Sequence, residues 1–151
     1  MDITNLVEKA PVLRDLPSRL LSQTAALVGK VASDALAAEG AHRYQFAALA
    51  TLDAFGASSQ AELCRRTDID RSDMNAAVNA LEAEGAVTRM LDPGNRRQNI
   101  VDITEAGRAR FARLRDCLRE AEQHALAPLG EAERDELLRL LRLLHDHLAP
   151  R

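Results

Sequence analysis

The chain has 151 residues and a formal net charge of -3, and its composition is 46% hydrophobic and 28% charged with only 3% aromatic residues. That length suits one domain around one core. No apolar run approaches the roughly 18 residues that cross a bilayer and residues 1–11 lack a signal-peptide core, so a soluble, cytoplasmic protein is expected, with no membrane partner.

The acidic balance counts mildly against a nucleic-acid partner, and a local basic patch is the sign that would outweigh it. Arginine supplies nearly all the positive charge; the lysines are Lys9 and Lys30. Cys64 and Cys117 have no metal-like spacing, which excludes a zinc site and a disulfide framework. With so few aromatics the core must be Leu, Ala and Val, a composition that suits helices.

In chain order, Leu6, Val7, Ala10, Leu13 and Leu16 form an apolar arm across Pro11. The arm is too apolar to be a solvated tail and is expected to pack, with a partner subunit as one candidate. Asp15 to Ala38 reads as a helix: Pro17 is tolerated in its first turn, and Leu16, Leu20, Thr24, Leu27, Val31 and Ala35 recur on one face. Gly40 stops it. A second helix covers Arg43 to Phe55, with Phe46, Leu49, Ala50 and Leu52 inward, and Gly56 ends it. Ser59 and Glu62 then make a Ser-x-x-Glu capping box before a third helix, Gln60 to about Arg66.

A fourth helix runs from Arg71 to Glu84 with Asp70 as N-cap and Gly85 as stop. Val87–Leu91 and Asn99–Ile103 read as two strands joined by the turn Asp92-Pro93-Gly94-Asn95. Thr104 caps a long helix to about Ala127, broken by Pro128 and Gly130. The last helix, Glu131 to Leu148, carries Leu137, Leu141, Leu144 and Leu148, widened by Leu138, Leu140 and Leu143. A stripe this wide exceeds what one antiparallel neighbour covers and points to burial between subunits.

The third and fourth helices and the hairpin make a winged helix-turn-helix. Leu63, Cys64, Ile69, Met74, Val78 and Leu81 are the small and apolar residues that let two short helices cross steeply. The turn wants a left-handed residue before Ile69, and Asp68 is one of the few non-glycine types that tolerates it. With Met74, Val78 and Leu81 inward, the fourth helix shows Arg71, Ser72, Asn75, Ala76 and Asn79 outward. Ser72, Asn75 and Asn79 share a stripe whose hydroxyl and amide groups can hydrogen-bond base edges in a major groove. The alternative is a solvated polar face, but two asparagines there do little for helix stability. At the wing tip, beside Asn95 and Gln98, Arg97 is placed to reach a minor groove and Arg96 a phosphate; the competing reading is an Arg97–Asp92 ion pair across the turn. Arg65 and Arg66 are phosphate contacts or simply charges that favour a helix C-terminus. Residues 60–104 hold six arginines against eight acids, so binding there depends on how charge is distributed and is strongly salt-sensitive.

Residues 59–107 resemble the multiple antibiotic resistance regulator (MarR) family. Leu81 to Gly85 matches the leucine-x-x-x-glycine that closes the family's recognition helix, and Asp92, Pro93, Arg96, Arg97, Thr104 and Gly107 match its wing pattern. Ile103 replaces a leucine. Asn95 stands where the family usually has an aspartate that helps to anchor the wing arginine. The resemblance implies a homodimeric transcriptional regulator, a repressor on a pseudo-palindromic operator, released by a small lipophilic or phenolic effector. It implies dimerisation through residues 1–40 and 105–151, a DNA-binding lobe over 43–104, and an effector between them, where His42, Arg43 and Tyr44 are the polar candidates. A local hydrogen-bonded cluster at a helix start is the competing reading of those three.

Cys64 reads as a packing residue, with an oxidant-sensing thiol as the alternative; Cys117 lies amid Arg113, Arg115 and Arg119. His145-Asp146-His147 does not share a helix face, so a metal is not expected. Nucleotide-binding, hydrolase and metalloprotease motifs are missing, which disfavours an enzyme, and no cofactor is expected. The expected fold is mainly α with a small two-stranded β-wing, in one domain. A dimeric winged-helix protein acting through protein contacts without DNA is the rival function.

Overall fold

In the computed structural model, which describes residues 10–150, the element order is α1 (Pro11–Arg14), α2 (Pro17–Ala38), α3 (Arg43–Phe55), β1 (Ser58–Ser59), α4 (Gln60–Thr67), α5 (Arg71–Ala83), β2 (Val87–Asp92), β3 (Asn95–Ile103), α6 (Glu105–Ala125) and α7 (Glu131–Leu148). Helix α1 was not expected: Pro11–Arg14 of the apolar arm forms a single turn before α2. Helices α2 to α7 lie within two residues of their expected bounds, and three of them begin at the side-chain caps expected. Ser59 Oγ accepts from Glu62 N–H at 3.1 Å, Asp70 Oδ1 from Asp73 N–H at 2.9 Å, and Thr104 Oγ1 from Gly107 N–H at 3.0 Å. Gly85 closes α5 with φ +75°, and Asp68 takes the left-handed turn between α4 and α5 with φ 56°.

Two expectations of local structure are corrected. The box at Ser59 is only half formed: Glu62 does not reach back to the cap but pairs with Arg65 and Arg66 on its own helix. A reciprocal box forms instead at α3, where His42 Nδ1 accepts from Tyr44 N–H and Gln45 Oε1 from His42 N–H. The wing is three-stranded rather than two-stranded, in the order β1-β3-β2, all antiparallel, with Ser58 opposite Val101. Its hairpin is also longer than expected, since Arg96, Arg97 and Gln98 belong to β3.

The core sits under α5. Leu49 and Leu52 of α3, Leu63 of α4, and Met74, Val78 and Leu81 of α5 are buried with Val87, Val101, Ile103, Leu114 of α6 and Leu36 of α2. Ala48 is fully buried on α3, whereas Phe46 and Ala50 are only half-buried. α2 runs along α6, and Cys117 Sγ donates to Ala35 O at 3.4 Å between them. By contrast α1 and α7 bury no residue, and α2 buries only Leu36. Leu6 and Val7 of the apolar arm lie outside the described residues.

Candidate nucleic-acid interface

A groove of about 1130 Å³ opens between α4–α5 and β3 of the wing. Arg65, Arg71, Ser72, Asn75 and Arg97 line it together, along with Gln60, Asp70, Asn95 and Gln98. The expected readers of two different elements thus face one concavity. The other predicted residues fall around it. Asn79 lies one turn further along α5, and Arg96 is exposed on β3. Arg66 lies over the Phe55 ring at 4.0 Å, its Nε 2.6 Å from Glu62. Ala76 points to the other side of α5.

Arginine is paired on the groove's α4 wall. Burial pushes the Glu62 carboxyl up, but its bonds to Arg66 and Arg65 outweigh that and hold it below its ordinary range. Arg97 has no ion pair among the described residues. The alternative Arg97–Asp92 pair does not form, because Asp92 is otherwise engaged: Oδ2 accepts from Gln98 Nε2 at 2.9 Å and Oδ1 from Gly94 N–H at 2.8 Å. These two bonds hold its carboxyl below the usual range. Asn95 folds the turn instead, its Oδ1 accepting Arg97 N–H at 3.1 Å. The wing is therefore braced by Asp92 and Asn95, and the Arg97 guanidinium is left to solvent.

The stripe on α5 is not simply solvated. Ser72 Oγ donates to Asp70 Oδ1 at 2.8 Å. Asn75 and Asn79 converge on Arg89, which sequence reasoning missed: Nη1 donates to Asn79 Oδ1 at 2.5 Å, and Nη2 to Asn75 Oδ1 at 3.2 Å and to Gln60 Oε1 at 3.3 Å. Gln60 Nε2 in turn donates to Asn75 Oδ1 at 3.3 Å. Glu82 lies 3.6 Å from Nη1, and only 16% of the Arg89 side chain is exposed. A signal was present. Val87 and Arg89 share one face of β2 by strand alternation, so an arginine two residues after a core valine needs acceptors beneath α5.

On the opposite side of α5 a shallow pocket of about 320 Å³ is lined by His42, Tyr44, Gln45, Asp73, Ala76, Ala77 and Ala80. Of the three effector candidates, His42 and Tyr44 line it and Arg43 does not. Arg43 Nη2 donates to the Tyr44 hydroxyl at 3.0 Å, and the His42 and Tyr44 rings meet edge to face at 4.6 Å. His42 Nδ1 is an acceptor here, so neutral His42 carries its proton on Nε2. Burial pushes the Cys64 thiol up, which disfavours the reactive thiolate. Among the described residues no three His, Cys, Asp or Glu side chains converge as a metal would need.

A sequence model of the MarR family matches residues 40–98. The chain is 37% identical over 102 residues to the HTH-type transcriptional repressor NicR of Pseudomonas putida; the match covers 68% of this chain but only 65% of NicR, just under two thirds. It is 30% identical over 125 residues to the HTH-type transcriptional repressor Rv2887 of Mycobacterium tuberculosis, covering 83% and 90% of the two chains. The structure of that MarR family protein in complex with p-aminosalicylic acid superimposes with a TM-score of 0.68 over 85% of this chain and 97% of that one, at 29% identity. A probable transcriptional regulator from Pseudomonas aeruginosa superimposes with a TM-score of 0.76 at 30% identity, covering 87% and 98%.

Proposed function

The chain belongs to the MarR family of winged-helix regulators, and on that premise we propose that it is a homodimeric transcriptional repressor that reads a pseudo-palindromic operator with α5 and clamps it with the wing. The observation that carries this reading is the shared groove: a recognition-helix stripe and a free wing arginine, supplied by separate elements, face one space. Ser72 and Asn75 present short polar groups to a major groove. Arg97, with Arg71 and Arg96 beside it, supplies charge to phosphates or to a minor groove. α1, α2, α6 and α7 then space two such lobes by pairing between protomers.

The effector belongs to the same proposal. The pocket under α5 is lined by an imidazole, a phenol and alanine methyls, which suits a small aromatic or phenolic molecule. Its wall includes Ala76 and Ala77 of α5, so an occupant there would bear directly on the reading helix. Rv2887 has been crystallised with an aromatic acid, in keeping with a ligand of that size.

The test is binding to the DNA upstream of the protein's own gene, followed by fluorescence anisotropy. Wild-type protein is expected to bind a discrete site, and Arg97→Ala to weaken binding across sequences and lower the salt slope by about 1 per protomer. Undiminished binding by Arg97→Ala would remove the wing from the reading. Failure to bind any such fragment at low salt would favour the protein-contact alternative.

A further inference from the structure

We propose that Arg89 is a specificity-determining positioning residue, which locks the amide of Asn75 so that it offers only hydrogen-bond donors to DNA. The inference rests on the reading of α5 as the recognition helix.

The orientation follows from chemistry rather than from the appearance of an amide, whose oxygen and nitrogen look alike. A guanidinium is a donor with no acceptor. Each amide that meets Arg89 must therefore turn its oxygen inward, and the structure has Asn79, Asn75 and Gln60 doing so. The lock is tighter at Asn75. Gln60, with its own oxygen held by Arg89, turns Nε2 toward Asn75 Oδ1. Asn75 Oδ1 thus accepts from two donors, which engages both lone pairs. Its NH₂ group is left facing the groove, which Asn75 lines. Arg89 holds this arrangement even though its own Nε is buried without a partner among the described residues.

The consequence is a restricted code. An unconstrained asparagine reads adenine with two bonds, accepting from N6 and donating to N7. With its oxygen occupied, Asn75 keeps only the donor half. Guanine, with N7 and O6, satisfies it best; thymine, through O4, and adenine, through N7, each keep one bond, so adenine loses its advantage; cytosine, which presents a donor, is rejected. Arg89 touches no base in this scheme and sets the preference through its neighbour.

The experiment is selection from duplexes with a randomised segment of about 20 base pairs, enough for two half-sites one helical turn apart, using full-length wild type, Asn75→Ala, Arg89→Met and Arg89→Lys. The position whose discrimination collapses in Asn75→Ala is the one that Asn75 reads. Wild type is expected to hold guanine there, about 5-fold or more above cytosine, with thymine and adenine between them and adenine below guanine. Arg89→Met releases the amide, and adenine is expected to rise to parity or above. Arg89→Lys, whose ammonium is also a donor only, is expected to keep the wild-type order. Adenine preferred by the wild type, identical profiles for wild type and Arg89→Met, or a wild-type site that Asn75→Ala leaves unaltered would each overturn the proposal while DNA reading stands. If Arg89→Met does not fold, the wild-type base at the mapped position still decides. Wild type that enriches no sequence would overturn the recognition-helix reading itself, and this inference with it.

Discussion

Gly107 explains in atomic terms why a glycine follows Thr104 by three residues. A Cβ built there would lie 2.0 Å from Ala86 O and 2.8 Å from Ile103 Cγ1. The carbonyl cannot step aside, because it accepts Thr104 N–H at 3.0 Å, while Thr104 Oγ1 donates to Gly85 O at 2.6 Å and accepts Gly107 N–H. The end of α5 and the start of α6 are clamped together through these few backbone atoms. Gly107→Ala is therefore expected to destabilise the fold by about 3 kcal/mol, read as a lower midpoint in urea at unchanged slope; a midpoint equal to wild type would show that the clamp yields. The sequence showed the Thr-x-x-Gly pattern but not this reason for it. Arg89 is the sharper case: its strand alternation was legible, whereas its three amide partners lie 10 to 29 residues away and meet only once α4, α5 and β2 are packed.

At the scale of elements, what was legible was whatever is decided locally. Ser59, Asp70 and Thr104 all cap the helices that follow them, and Asp68 does take the left-handed turn. The third strand was not legible, since Ser58–Ser59 has neither length nor strand composition and exists only because β3 lies alongside. Helix α5 carries a titratable cap with a consequence of its own. Bonds from Asp73 N–H and from Ser72 hold the Asp70 carboxyl below its ordinary range. A group with a depressed folded pKa contributes its stability in full above its unfolded value and loses it as pH falls through the folded one. The contribution of Asp70 should therefore fade below about pH 4. Asparagine caps as well as aspartate but does not titrate. The melting temperature of Asp70→Asn is thus expected to fall less than that of wild type between about pH 5 and pH 3, other carboxylates contributing equally to both. Parallel pH profiles would remove Asp70 from the acid sensitivity of the fold.

For the whole molecule, two properties of the single chain belong to one argument. The first is its uncovered apolar surface. Leu138, Leu140, Leu141, Leu143, Leu144 and Leu148 of α7 and Leu16, Leu20, Leu21 and Leu27 at or within α2 are each at least 42% exposed in one chain, far more than a monomer leaves open. The second is its charge. With -3 overall and six arginines against eight acids between residues 60 and 104, one lobe has few cations to place on a phosphate backbone. Pairing α1, α2 and α7 between two chains buries the first, and offsets the second by bringing the few arginines of two lobes to one duplex. Wild type is accordingly expected to scatter light at twice 16.5 kDa at micromolar concentration, and Leu141→Asp with Leu144→Asp to scatter as one chain. The logarithm of DNA affinity falls with the logarithm of salt in proportion to the number of phosphates neutralised. The wild-type slope should thus be about twice that of the double variant. A single-chain mass for wild type, or equal slopes for a dimer and a monomer, would show that the leucine faces serve something other than the joining of two DNA-binding lobes.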